Sequence, residues 1–193
     1  TNPYAKTKQI SEGMLEDFIN SNEKVRGISL RYFNPVGSHN SGLIGELPLG
    51  VPDNLVPYVT QTAAGIREEL SVFGSDYNTN DGTAIRDYIH VEDLVSSHLV
   101  AISRLLSKEN ADAYEFYNIG TGKGYSVLEV INAFEKVNNL KLKYSFKGRR
   151  DGDIEKIYSD VKKSSKILKW KSERSLDDMM SSAWRWQKNL ANF

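Results

Sequence analysis

PYAKTKQISEGMLEDFI (Pro3–Ile19), followed after the polar break Ser21–Lys24 by GISLRYF (Gly27–Phe33), is the passage on which the fold turns. Ile10, Met14, Leu15, Phe18 and Ile19 recur at helical spacing, which predicts a helix with one buried stripe. Asn2-Pro3 supplies an N-cap and a proline at the first helical position, so the chain is expected to open on a helix already under way, as a truncated piece of a longer protein would. Gly27–Phe33 alternates and then runs apolar until Asn34-Pro35 interrupts it, the pattern of a buried strand. Helix followed by strand is the rhythm of an α/β sheet.

Beyond that unit, residues 35–52 hold four glycines and three of the five prolines, a composition suited to a long shaped loop. Val56, Val59, Ala63 and Ile66 predict a helix after Asp53, and Leu70–Phe73 a short strand. Gly74–Gly82 reads as a loop, Val91–Leu106 as a helix and Tyr114–Ile119 as a second buried strand. Ser126 with Glu129 forms a capping box ahead of the apolar face Val127, Val130, Ile131 and Phe134. A strand over Leu142–Phe146 and helices over Val161–Leu168 and Ser175–Leu190 complete the chain.

The 25 basic and 25 acidic residues cancel, so bulk charge gives no reason to expect a nucleic-acid partner. With no cysteine, a disulfide scaffold, a thiolate metal site and a cysteine nucleophile are excluded, and the cytoplasm is the expected location. No apolar run approaches the ~20 residues that span a bilayer, and no membrane partner is expected. His39, His90 and His98 lack metal-ligand spacing, so no metal site is expected either.

Tyr4 and Lys8, four residues apart, share one helix face. A phenol beside an ammonium, near the positive end of a helix dipole, ionises more readily than a free one, and such a pair can move a hydroxyl proton. Spacing alone also fits a solvated Tyr and Lys one turn apart.

PYAKTK (Pro3–Lys8) with LRYFNPVG (Leu30–Gly37) resembles the catalytic helix and following strand of the extended short-chain dehydrogenase/reductase family. SGLIGELPLGVPDNLVPYV (Ser41–Val59), FGSDYNTNDGTAIRDYIHVEDL (Phe73–Leu94), YNIGTGKGYSVLEV (Tyr117–Val130), RRDGDIEKIY (Arg149–Tyr158) and WRWQ (Trp184–Gln187) are similar to the UDP-galactose (UDP-glucose) 4-epimerase branch of that family. The resemblance implies an α/β fold made of the C-terminal portion of an NAD-binding Rossmann fold plus a smaller α/β substrate-binding domain. Residues 1–36 and 91–120 would belong to the first, and 37–90 and 121–193 to the second.

It further implies an isomerase that inverts C4 of a UDP-hexose through a transient 4-keto sugar, with NAD as cofactor and a homodimer as the full-length assembly. Tyr4 would be the acid/base and Lys8 its electrostatic partner, both also touching the cofactor, with Phe33 at its nicotinamide end. Asn34, Asn54, Leu55, Phe73, Arg86, Arg150 and Asp153 would grip the nucleotide, and Ile157 would limit space beside the sugar. The family's glycine-rich pyrophosphate turn and assisting Ser or Thr belong before Thr1, so the isolated chain is expected to be inactive. Relatives that dehydrate, decarboxylate or epimerise a uronate share the Tyr/Lys pair, and a non-catalytic nucleotide-sugar-binding module is the alternative of a different class.

Three signals invite a plainer reading. Arg86 can form a surface ion pair with neighbouring Asp87. Gly120-Thr121-Gly122-Lys123-Gly124 lacks the glycine spacing of a dinucleotide fingerprint and reads as a structural turn ahead of the Ser126 cap. Trp170, Trp184 and Trp186 read as packing residues, because no basic stripe accompanies them.

Overall fold

A computed structural model describes residues 3–190, so the expected Asn2 cap lies outside the described residues. Helix α1 (Pro3–Asn20) leads into strand β1 (Gly27–Tyr32), which pairs in parallel with β6 (Tyr114–Ile119). The chain is thus mixed α/β with parallel pairing, as the helix-strand rhythm predicted.

The stripe on α1 is helical but not buried. Ile19 is 1% exposed, whereas Ile10, Met14 and Phe18 are 51%, 68% and 57% exposed. The cause is lateral: α1 rests chiefly on β1 and β6, a two-stranded sheet too narrow to cover a helix face this long.

At Phe33 the backbone changes partners. The Phe33 amide donates to Ile119 O at 3.1 Å, and the next amide, Asn34, donates to Asp87 O at 3.0 Å on the other side. The chain therefore continues past the expected stop as β2 (Asn34–Val36), parallel to β5 (Tyr88–His90). Pro35 is tolerated because successive residues point their N–H groups to opposite sides, and its missing donor falls away from β5.

Helix α2 (Leu55–Ala63) ends short of Ile66, which is 63% exposed. Gly65 at φ +73° takes the left-handed conformation that closes a helix. Strand β3 (Leu70–Phe73) pairs in parallel with β8 (Tyr144–Lys147), two residues later than expected at its start. Between them run β4 (Ile85–Arg86), helix α3 (Val91–Leu106), β7 (Tyr125–Ser126) and α4 (Val127–Asn138), with β9 (Lys156–Ile157) after β8. β4 lies between β7 and β9, antiparallel to the first and parallel to the second. These strands of two or three residues are too short for any period to announce them. The expected helix over 161–168 forms over 162–168, its main part a π-type turn, Ser164–Leu168, ended by Lys169 at φ 53°. Helix α5 (Leu176–Leu190) closes the described chain.

Two hydrophobic clusters result. One gathers Ile119 and Tyr117 of β6, Leu94 of α3, Leu168 and Trp170 around β1. The larger joins α2, β3, α4 and α5 through Val59, Val72, Ile131, Phe134, Met179 and Met180, all fully buried. Each such side chain stabilises the fold by roughly 1.5–3 kcal/mol relative to an exposed one. β5 belongs to both, because adjacent strand residues face opposite ways: Tyr88 enters the larger cluster and Ile89 the other. The capping box of α4 forms with both reciprocal bonds, Glu129 N to Ser126 Oγ at 3.0 Å and Ser126 N to Glu129 Oε2 at 2.7 Å. No helix among the described residues is long and apolar enough to cross a membrane.

Candidate functional site

A cavity of about 500 Å³ opens where β2, β3, β4 and the start of α2 meet the loop after β8. Its wall includes Asn34 from β2, Asn54 and Leu55 at the head of α2, and Phe73 at the end of β3. Arg86 of β4 and Arg150 and Asp153 of the loop after β8 complete the polar side. All seven residues expected to hold a nucleotide therefore meet around one space, although they span 120 positions from Asn34 to Asp153.

The charged groups hold one another in place. Arg86 donates from Nη2 to Asp153 Oδ1 at 3.1 Å and from Nη1 to the Ile85 carbonyl at 2.8 Å. The Arg150 guanidinium carbon lies 3.9 Å from the centre of the Phe73 ring, a cation–π contact that leaves the aromatic face part-covered by charge. Asn54 caps α2 by position only; its side-chain amide donates to Glu46 Oε1 at 3.0 Å, tying the long loop to the cavity rim. Two guanidinium groups, one carboxylate and an aromatic face amount to receptors for a diphosphate, a vicinal diol and a flat base.

Asp87 carries a role that the sequence did not announce. The surface pair with Arg86 does not form; Asp87 is fully buried, and Arg86 turns to Asp153 instead. The Asp87 carboxylate accepts from Thr121 N (3.0 Å), Thr121 Oγ1 (2.6 Å), Gly122 N (3.1 Å), Ser159 N (3.1 Å) and Ser159 Oγ (2.5 Å). A buried carboxylate is costly unless it is satisfied in this way. The glycine-rich turn is therefore structural, and its amides are already bound to an anion. Its glycines are required by closeness: a Cβ at Gly120 would lie 2.5 Å from Asp87 Oδ2, and Gly122 stands at φ +74°. The available signal was an acidic residue flanked by aromatic and β-branched neighbours in RDYIHV, which argues for a buried strand.

On α1 the Lys8 ammonium stands 5.2 Å from the Tyr4 ring centre, so the expected pair shares one face, and both residues are exposed. Neither they nor Phe33, which is half-buried at the end of β1, contributes to the wall of the cavity. Ile157 pairs with Arg86 in the β4–β9 register but also stays outside that wall. His90 is structural: it caps α3 by accepting from Glu92 N, and its Nε2 meets Ser182 Oγ at 3.0 Å. Trp170 is buried and donates to Ser96 Oγ, Trp184 packs edge-on against Phe134, and Trp186 donates to Glu46 O.

Comparison with known proteins bears on this arrangement. Residues 1–183 match the family model described as GDP-mannose 4,6 dehydratase. The chain is 52% identical over 189 residues to a UDP-glucose 4-epimerase of Haemophilus influenzae, an overlap of 98% of this chain and 55% of that protein. Among solved structures, it superimposes on a UDP-glucose 4-epimerase of Stenotrophomonas maltophila with bound NAD and formylated UDP-arabinopyranose. The TM-score is 0.95 at 43% identity, covering 100% of this chain and 56% of the other. A UDP-glucose 4-epimerase of Bifidobacterium longum in complex with NAD+ and UDP gives 0.92 at 46% identity, with coverage of 100% and 56%. The chain thus spans about half the length of the relatives that it matches. Because nearly all of it falls within one family model, the chain belongs to the GDP-mannose 4,6 dehydratase family.

Proposed function

We propose that this chain is the substrate-gripping part of a UDP-hexose 4-epimerase, an isomerase that interconverts UDP-galactose and UDP-glucose in galactose metabolism. The observation that carries this reading is the convergence of Asn34, Asn54, Leu55, Phe73, Arg86, Arg150 and Asp153 on one cavity. Arg86 and Arg150 bind the diphosphate, Asp153 accepts from ribose hydroxyls, and Phe73 packs on the base, with Leu55 also in the wall. Relatives crystallised with UDP or a UDP-sugar support this assignment.

The division into a Rossmann remnant (1–36 and 91–120) and a nucleotide-sugar domain (37–90 and 121–193) is supported in part by the two hydrophobic clusters: β1, α3 and β6 meet in one and α2, β3, α4 and α5 in the other, while Ile89, Leu168 and Trp170 join the first cluster and Val36 the second. The residues of this chain fit only the nicotinamide end of NAD. Lys8 would hold ribose hydroxyls, with Tyr4 and Phe33 beside the ring, whereas the amides of Thr121 and Gly122 are taken by Asp87 and offer no pyrophosphate cradle. NAD, when bound, supplies reversible hydride acceptance at C4. Tyr4 takes the proton from the sugar 4-hydroxyl and returns it, while Lys8 stabilises the phenolate. Tight hold on the nucleotide and a loose hold on the sugar allow the oxidised hexose to turn and be reduced on its other face.

The full-length protein is proposed to act as a cytoplasmic homodimer, and the exposed Ile10, Met14 and Phe18 on α1 are suited to such a contact. Incubating the full-length protein with UDP-galactose and NAD, then identifying the sugar by NMR, tests the reading. UDP-glucose is expected; a product lacking water or carbon dioxide would assign the protein to the dehydratases or decarboxylases instead. The 193-residue chain alone is expected to bind UDP without turnover, and measurable epimerisation by it would overturn the dependence on a longer parent.

A further inference from the structure

We propose that Tyr88 is a further ligand of the nucleotide half of the substrate, its hydroxyl donating a hydrogen bond from the cavity wall to an acceptor oxygen of the nucleotide. The proposal rests on the nucleotide-sugar reading of that cavity.

Tyr88 lies in the middle of the site's framework. It stands two residues beyond Arg86, so both project on the same side of the chain, and it is opposite Asn34 in the β2–β5 register. All three residues contribute to the cavity wall. The wall combines buried residues, Val36, Val56, Leu70 and Tyr88, with the exposed Arg150 and Asp153. Among the buried members of this wall, Tyr88 brings a hydroxyl into otherwise apolar surroundings.

That hydroxyl is unpaired within the protein. Tyr88 is 4% exposed, and its Oη makes no hydrogen bond to any described residue. It is also not sealed off, since the fully enclosed, unpartnered side-chain polar atom among the described residues is Tyr77 Oη, in the loop before β4. The sliver of surface that Tyr88 retains therefore includes its hydroxyl, and Tyr88 is part of the cavity wall. Buried polar groups are paired as a rule, and a phenylalanine would fill the same ring volume without a polar atom to satisfy. Burial pushes the phenol up to about 12, with the Arg86 charge acting in the opposite direction, so near neutral pH the group is a donor that keeps its proton. A neutral donor beside Arg86 complements the acceptor oxygens of a nucleotide and adds no further charge.

Tyr88→Phe in the full-length protein, titrated calorimetrically with UDP and separately with UDP-glucose, tests this. The variant is expected to bind both about three- to tenfold more weakly than wild type, by the same factor, the range of one net hydrogen bond. Its unliganded melting temperature is expected to be unchanged or higher. Equal affinity of variant and wild type for UDP overturns the proposal, leaving a hydroxyl satisfied by water. A loss confined to UDP-glucose overturns it too, because the hydroxyl would then face the sugar. Failure of the wild type itself to bind UDP strikes at the nucleotide-sugar reading and not at Tyr88. If the variant does not fold, a crystal structure of the wild type with UDP decides: Tyr88 Oη within about 3.2 Å of a nucleotide oxygen is expected, and no such contact overturns the assignment.

Discussion

Asp87 and Ser159, 72 residues apart, are joined by two hydrogen bonds to one carboxylate oxygen, from the serine amide at 3.1 Å and from its hydroxyl at 2.5 Å. Through the same carboxylate Asp87 holds the turn at Thr121 and Gly122, and through its carbonyl it holds Asn34. The side chain thus fixes the strand that bears Arg86 against two later segments of the chain, and the backbone carbonyl fixes it against the earlier one.

Asp87→Asn is expected to destabilise the protein by about 2–4 kcal/mol, because an amide replaces one acceptor with a donor aimed at groups that are themselves donors. Urea denaturation of variant and wild type measures this. Affinity for UDP should fall as well, since the strand that bears Arg86 loses its side-chain ties to the turn at Thr121 and to Ser159; a variant as stable as wild type would show that the network contributes nothing net.

Tyr4→Phe in the full-length protein is expected to reduce kcat by about 10²–10⁴, the usual contribution of a general acid/base, while leaving UDP affinity within twofold. The separation follows from geometry: Tyr4 stands on α1, outside the wall of the cavity that carries the nucleotide ligands. Steady-state kinetics with UDP-galactose and calorimetry with UDP check the two halves of this expectation. An unaffected kcat would remove Tyr4 from the chemistry.

The long periodic elements were legible because burial imposes a period on enough residues to read: Val91–Leu106 and Tyr114–Ile119 form with the expected bounds. Strands β4, β5, β7 and β9 were not, since two or three residues carry no period and owe their form to partners far along the chain. The stripe of α1 was read correctly as helical and wrongly as buried, because periodicity reports a face and not what covers it. At the site, Arg86 and Asp153 were legible only through resemblance, and their 3.1 Å pairing came from the fold. The plainer alternative of an Arg86–Asp87 surface pair fails because neighbouring strand residues point in opposite directions, which sequence adjacency does not reveal.

Arg86→Ala is expected to raise KM for UDP-galactose by about tenfold to a hundredfold, by removing a charge-assisted contact to the diphosphate and leaving Asp153 unpaired. The double variant with Asp153→Asn should recover part of that loss, since no uncompensated carboxylate then faces the phosphates. Affinity of the wild type for UDP should also weaken with added salt more steeply than that of Arg86→Ala. Equal salt slopes would place Arg86 away from the phosphates.

Glu115 makes the acid limb of stability predictable. Hydrogen bonds from Arg104, at 2.8 and 2.9 Å, act first, and those from the Tyr117 hydroxyl and the Ala111 amide add to them. Together they hold its carboxyl at about 2 against an ordinary value of 4.5. The unfolded chain therefore binds a proton between these pH values that the folded chain does not. The stabilisation is complete above about pH 4.5 and is lost as pH falls toward 2, a change of about 3 kcal/mol for this side chain, which is 5% exposed. Glu115→Gln should be less stable than wild type at pH 7 by a similar amount, and the two should converge near pH 2. Chemical denaturation across pH 2–7 measures both curves; parallel curves with a constant gap would mean that Glu115 is not the titrating group.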